Sequence, residues 1–215
     1  MYAGRVTRKA KPIEPERDDA LVLAAARRFA AVGYEATSLN QVLSDAGWQK
    51  SSFYHYFGDK RRLHDHVVDT LAARLIGGVA APDLSELAAE QFWPSMADLL
   101  TGLGQSAARH PETRLLGEMF HQDDRFDDGH ELGSGRLQQM RAAVSAWLAS
   151  AIVRGCDLGV VRSDVPVELL IELAVSVLRT LDRWAVRHEL HSPGGPSDDG
   201  MTRHLLRDLF EARVP

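Results

Sequence analysis

Three observations predict an all-α chain, with an N-terminal three-helix helix–turn–helix domain followed by a larger helical domain. Apolar residues recur at helical spacing along most of the 215 residues. No stretch shows the strict apolar–polar alternation of a half-buried strand. The segment "SLNQVLSDAGWQKSSFYHYF" reads as two short helices about a glycine turn.

The elements follow in order. Residues 1–14 are polar, basic and interrupted by proline, which predicts a flexible basic arm. A first helix starts near Pro15, whose fixed φ suits a first turn, with acids placed to complement the helix dipole. Leu21, Ala25 and Phe29 give it an apolar face, and Gly33 supplies a left-handed stop. Ser38 opens a second helix through a capping box with Gln41. Leu39, Val42, Leu43 and Ala46 form its buried stripe, and Gly47 ends it. A third helix runs from Gln49 or Lys50 to about Phe57. Asp59 then caps a fourth, in which Leu63, Val67, Leu71 and Leu75 recur every four residues. Past Gly77-Gly78, helices are predicted over about 84–108, 111–121, 134–157, 166–190 and 198–213. The division is therefore 1–14, 15–75 and 76–215.

Composition narrows the class. Hydrophobic residues make up 45% of the chain, enough for a packed core. The single cysteine, Cys156, has no internal disulfide partner and lies in no zinc-type spacing, so a reducing, cytoplasmic setting is expected. No apolar run reaches the roughly 18 residues of a membrane span. The net charge of −5 is unevenly spread. Residues 1–75 hold 12 Lys+Arg against 9 Asp+Glu, residues 76–215 hold 13 against 21, and all four lysines lie in the first 60 positions. A basic end on an acidic body fits a nucleic-acid contact at the N-terminal end; a solvated surface gives the same counts.

The third helix holds Phe53, Tyr54, His55, Tyr56 and Phe57 in a row. Phe53 and Phe57, four apart, suffice to bury one face. Lys50, Ser51, Ser52, Tyr54 and His55 are left on other faces, with Tyr56 ambiguous. These side chains carry donors and aromatic surfaces suited to phosphates, sugars and base edges. The alternative is that Tyr54, His55 and Tyr56 wrap a seam between helices.

"FAAVGYEATSLNQVLSDAGWQKSSFYHYFGDKRRL" resembles the DNA-binding domain of the tetracycline-repressor (TetR) family of bacterial transcription regulators, over about residues 17–75. The likeness rests on Phe29, Gly33-Tyr34, Thr37-Ser38, Ala46-Gly47, the Tyr54–Phe57 run, Lys60 and Leu63. It implies a homodimer that binds a pseudo-palindromic double-stranded DNA operator, most often as a repressor released by a small-molecule effector. An effector-independent DNA-binding regulator is the alternative. By position, the resemblance assigns Thr37 and Ser38 to phosphates and Asn40 toward bases. It places Lys50, Ser51 and Ser52 at the reading end, and gives Tyr54, His55 and Lys60 the DNA backbone. Trp48, Gln49 and Ser51 depart from the family pattern at that reading end, so no operator sequence can be carried over.

In the C-terminal region, Trp93, Met96, Leu100, Met119, Phe120, Trp147 and Trp184 are adaptable apolar residues that could line a cavity or fill a core. The resemblance selects the cavity, for a small hydrophobic or amphipathic ligand. "HQDDRFDDGH", with His121, Asp123, Asp124, Asp127, Asp128 and His130, is expected to be a solvated loop rather than a metal site. Leu169, Leu173, Val177 and Leu181, with Leu205, Leu206, Leu209 and Phe210, give the last two helices apolar faces, which the resemblance assigns to the dimer seam. No nucleophile–His–acid grouping, phosphate loop or metal spacing suggests catalysis, and no cofactor is expected.

Overall fold

The computed structural model describes residues 13–125, 135–189 and 199–212. Nine α-helices and one 3₁₀ turn lie within them. They are α1 (Pro15–Ala36), α2 (Leu39–Asp45), α3 (Lys50–Tyr56), α4 (Lys60–Ile76), α5 (Ala89–Arg109), a 3₁₀ turn (Pro111–Thr113), α6 (Arg114–Arg125), α7 (Gly135–Asp157), α8 (Val167–Glu189) and α9 (Asp199–Phe210). Residues 1–12 of the basic arm and residues 126–134 lie outside the described residues; of the acidic stretch expected as a loop over 121–130, residues 121–125 instead form the last turn of α6. Among those described, the extended backbone pairing is one isolated antiparallel bridge, Val161 with Glu211.

Local chemistry explains most of the boundaries. Pro15 opens α1 with Glu16 and Asp18 in its first turn. Gly33 breaks the helix at φ 78°, ψ 173°, a backbone state closed to other residues, and a single further turn carries the chain to Ala36. Gly47 follows α2 at φ 65° in a Schellman closure: Trp48 N–H donates to Leu43 O (2.8 Å) and Gly47 N–H to Ser44 O (3.2 Å). Asp59 caps α4 by accepting from Arg62 N–H at 2.8 Å. The expected capping box at α2 does not form. Ser38 is the N-cap residue, but it is exposed and its side chain accepts no helix N–H.

Two hydrophobic cores organise these helices. The first joins Leu21, Val22, Ala25 and Phe29 of α1 to Val42 and Leu43 of α2, Phe53 and Phe57 about α3, and Leu63, Val67 and Leu71 of α4. It also takes in Leu115, Leu116 and Met119 of α6 and Leu137 of α7. The N-terminal helices are thus completed by residues from beyond position 75, because α6 lies along α1 in the most extensive helix pairing among the described residues. Polar ties reinforce the junction. Arg74 of α4 pairs with Asp19 of α1 and, at 2.9 Å, with Glu112. The buried Ser106 hydroxyl of α5 donates to Arg74 O at 2.9 Å.

The second core gathers Leu87, Phe92, Ile152, Val161, Leu170, Ala174 and Phe210. Gly155 of α7 makes room for two core side chains: a Cβ there would stand 2.3 Å from Val161 Cγ2 and 2.9 Å from Phe92 Cζ. α9 is bound in by Arg162 N–H to Phe210 O (2.9 Å) and Ala212 N–H to Val160 O (3.0 Å).

His64 is the one buried titratable group of the first core among the described residues. Its ring packs edge-on to Phe29 (4.6 Å) and Tyr34 (5.3 Å), and its Nδ1 has no hydrogen-bond partner. Burial, helped by the nearby Lys60 charge, lowers its pKa from 6.5 to about 4.

Two outcomes follow. Leu116→Ala should cost about 2–5 kcal/mol in urea unfolding, as a core truncation does; a loss below about 1 kcal/mol would show that α6 only rests on the N-terminal core. Because the folded His64 pKa lies below its unfolded value, stability should fall as pH drops from about 6.5 toward 4, by roughly 3 kcal/mol for this group. His64→Phe, which keeps the ring contacts, should flatten that part of the pH–stability curve; an unchanged curve would contradict the assignment.

Candidate nucleic-acid interface

A helix of seven residues cannot hold itself together, so α3 must be held from below. Phe53 and Phe57, one turn apart, stack with centroids 5.6 Å apart and lie in the first core. Trp48 closes over them, 6.0 Å from the Phe57 ring, with Tyr56 edge-on to it at 6.0 Å. The indole N–H of Trp48 donates to Arg17 O at 3.1 Å, and the Arg17 guanidinium lies 5.0 Å from the indole ring centre. Trp48, read in the sequence as a departure at the reading end, is therefore a core residue that pins the turn before α3 to the start of α1. Its place in the Schellman closure, where a hydrophobic contact between Trp48 and Leu43 is favoured, is the signal that could have placed it.

With that face committed, the others are exposed. Tyr54 is 57% accessible, and Lys50, Ser51 and His55 are exposed beside it. Ser52 is half-buried. Tyr56 does belong to a seam, through Trp48, but Tyr54 and His55 do not. At the start of α2, Ser38 and Asn40 are exposed. Lys50, Ser51, Tyr54, His55, Ser38 and Asn40 thus form a polar, aromatic and cationic surface on a helix–turn–helix. Hydroxyl, amide and ammonium groups of this kind can meet phosphates and base edges.

Two of the residues assigned to phosphates have other partners. Thr37 is buried, and its hydroxyl donates to Gly33 O at 2.6 Å, closing the break in α1. Lys60 directs its ammonium at Tyr34 O (2.8 Å), Glu35 O (3.2 Å) and Thr37 O (3.2 Å), 4.5 Å from the centre of the Tyr34 ring. Both side chains serve the α1–α2 joint. Sequence reading missed Arg28, whose 2.8 Å pair with Asp45 ties α1 to α2 at the surface. Such an exposed pair contributes at most about 1 kcal/mol.

The seven residues expected around an effector cavity do not converge. Met119 and Phe120 sit on α6, against the N-terminal core, while Trp93 and Met96 pack in the second core. Leu100 and Trp147 are half-buried, and Trp184 is 40% accessible on α8. α6 lies mainly along α1, with a smaller contact to α8, which sets Met119 and Phe120 apart from Trp93 and Met96. A shallow groove between the α4–α5 connection and α7 is lined by Leu84, Ser85, Ala149, Ser150, Val153, Arg154 and Asp157, none of the seven. Among the described residues no cluster of His, Cys, Asp and Glu could hold a metal ion, and no helix is long and apolar enough to cross a membrane.

Comparison with known proteins agrees with this geometry. Residues 21–67 match the family model of bacterial regulatory proteins, tetR family. The HTH-type transcriptional repressor AcnR of Corynebacterium efficiens is 26% identical over 161 residues, covering 74% of this chain and 76% of that protein. AcnR of Corynebacterium diphtheriae is 27% identical over 157 residues, covering 69% and 70%. The crystal structure of a TetR family transcription regulator from Marinobacter aquaeolei has the same fold, with a TM-score of 0.63 at 19% identity over 92% of this chain and 97% of that one. The fatty acid degradation regulator FadR of Bacillus halodurans shares the fold at a TM-score of 0.64 and 14% identity, over 88% and 97%. A helix–turn–helix with its aromatic pair inside and its polar face outside, at the positions the family model covers, gives residues 21–67 the DNA-binding domain of the tetR family of bacterial regulatory proteins.

Proposed function

We propose that this protein is a homodimeric, cytoplasmic repressor that reads a pseudo-palindromic operator with α3 and is released from it by a small-molecule effector. The observation that carries the reading is the division of α3 into a buried Phe53–Phe57 face and an exposed face bearing Lys50, Ser51, Tyr54 and His55. The repressor assignment draws on the AcnR relatives, which are named as repressors.

Dimerisation is supported by leucines left outside the fold. Leu169 and Leu173 on α8, and Leu205 and Leu209 on α9, are each 40–47% accessible at i,i+4 spacing. Residues one position further on turn inward: Leu170 and Ala174 are buried, as is Phe210, with Leu206 packed beside it. The step of about 100° per residue separates the two faces. Leu206 and Phe210, assigned with the others to the dimer seam, therefore belong to the subunit's own core. Two such helices from each subunit make a four-helix seam under two-fold symmetry.

One observation favours an effector-independent regulator as the second reading. Of the aromatic and methionine residues suited to a ligand cavity, Met119 and Phe120 pack against one core and Trp93 and Met96 against the other. Operator binding measured with and without small hydrophobic carboxylates and amphiphiles separates the two readings.

Leu173→Glu with Leu209→Glu should give a folded monomer by sedimentation at micromolar concentration, since like charges then meet across the seam. A dimer that persists would move the seam elsewhere. In the reading surface, Asn40→Ala should cost about 1–3 kcal/mol on the operator and less on random DNA, while Tyr54→Phe should weaken both without changing the salt dependence. Footprints confined to one asymmetric half-site would contradict the symmetric reading.

A further inference from the structure

Lys60 occupies the first position of α4, where the helix dipole opposes a cation. Its ammonium is turned to the opposite pole of another helix. At the end of α1, Tyr34 O accepts the Thr37 N–H at 3.3 Å, and Tyr34 O, Glu35 O and the C-cap Thr37 O each receive one contact from Nζ, matching the three protons of the group. The Tyr34 ring beneath it is itself fixed, stacked on Phe29 at 6.0 Å and edge-on to His64 at 5.3 Å. The joint so closed contains the left-handed Gly33 and the Thr37–Gly33 hydrogen bond. Thr37, whose carbonyl Lys60 holds, immediately precedes Ser38, the N-cap of α2.

Resting on the DNA-reading function proposed above, we infer that Lys60 is a positioning residue: it locks the α1–α2 joint, sets the start of α2 against α3, and does not itself neutralise a DNA phosphate. A move of Nζ onto a phosphate would strip one donor from three carbonyls at once and lift a cation from an aromatic face. Gly58-Asp59-Lys60 then acts as one unit. Gly58, at φ 80°, lets the chain turn after α3; Asp59 caps α4; Lys60 caps α1.

The two roles separate in the salt dependence of binding. A lysine that neutralises one phosphate contributes about 0.9 to the slope of log K against log salt concentration; a positioning lysine contributes none. Binding of the full-length protein, Lys60→Gln and Lys60→Arg to operator and to random DNA is measured over a salt series, with thermal midpoints taken without DNA. The expected result is a lower midpoint for Lys60→Gln and an operator affinity reduced about tenfold or more at every salt, comparable to losing one base-pair contact. Random DNA should be affected less, the slope should stay unchanged, and Lys60→Arg, which keeps charge and donors, should recover most of the affinity. A slope lower by about 0.9, or an operator affinity unaltered in the folded variant, overturns the inference. Should Lys60→Gln not fold, the ¹⁵N ammonium signal of Lys60 in the unmodified protein decides: it should be protected from solvent exchange and stay in place on operator addition, and a shift there overturns the inference. If the unmodified protein shows no operator preference, the DNA-reading function fails rather than the role of Lys60.

Discussion

Everything α3 can present to a partner depends on the stacked Phe53–Phe57 pair beneath it. Seven residues form less than two turns, and nucleating a helix of that length in water is unfavourable. Burial of two phenylalanine rings stabilises by about 1.5–3 kcal/mol each, enough to offset that cost only when the surface below is rigid. Phe29, Leu43, Leu63 and Val67 supply that surface, and Trp48 covers its edge. The polar residues of α3 then project outward without contributing to its stability, which leaves them available for recognition.

The same core does not stop at the end of the helix–turn–helix. Leu115, Leu116 and Met119 of α6 fill the groove alongside α1, and Arg74 joins α1, α4 and the 3₁₀ turn through Asp19 and Glu112. A change in the position of α6 therefore acts on α1 directly, through close-packed side chains that transmit rather than absorb displacement. From α1 it reaches the α1–α2 joint held by Lys60 and Thr37. The route needs no conduit beyond packed atoms and two capped helix ends.

The fold was largely legible because its punctuation is chemical. Gly33, Gly47 and Asp59 stop and start helices by mechanisms visible in the residue types, and the i,i+4 run of Leu63, Val67 and Leu71 marks the buried stripe of α4 as plainly as the structure does. What could not be read depends on which element meets which. Lys60 looks like a solvent-facing cation until the end of α1 is brought beside it. Trp48 looks like part of a recognition surface until Arg17, 31 positions earlier, lies against its ring. Met119 and Phe120 share the apolar character of Trp93 and Met96, and only the course of α6 along α1 assigns them to a different core. The two faces of α9 fall one residue apart, so periodicity found the helix but not which leucines point inward.

The central claim is that the reading helix, α1 and α6 form one cooperative unit, and native-state hydrogen exchange tests it most directly. The amides of Phe53 and Phe57 in and after α3, those about Phe29 in α1 and those about Leu116 in α6 should open with a common free energy and lose protection together as denaturant is added. Amides of α6 that exchange at a markedly lower free energy than those of α1, or α3 amides that exchange as a frayed peptide would, contradict the claim.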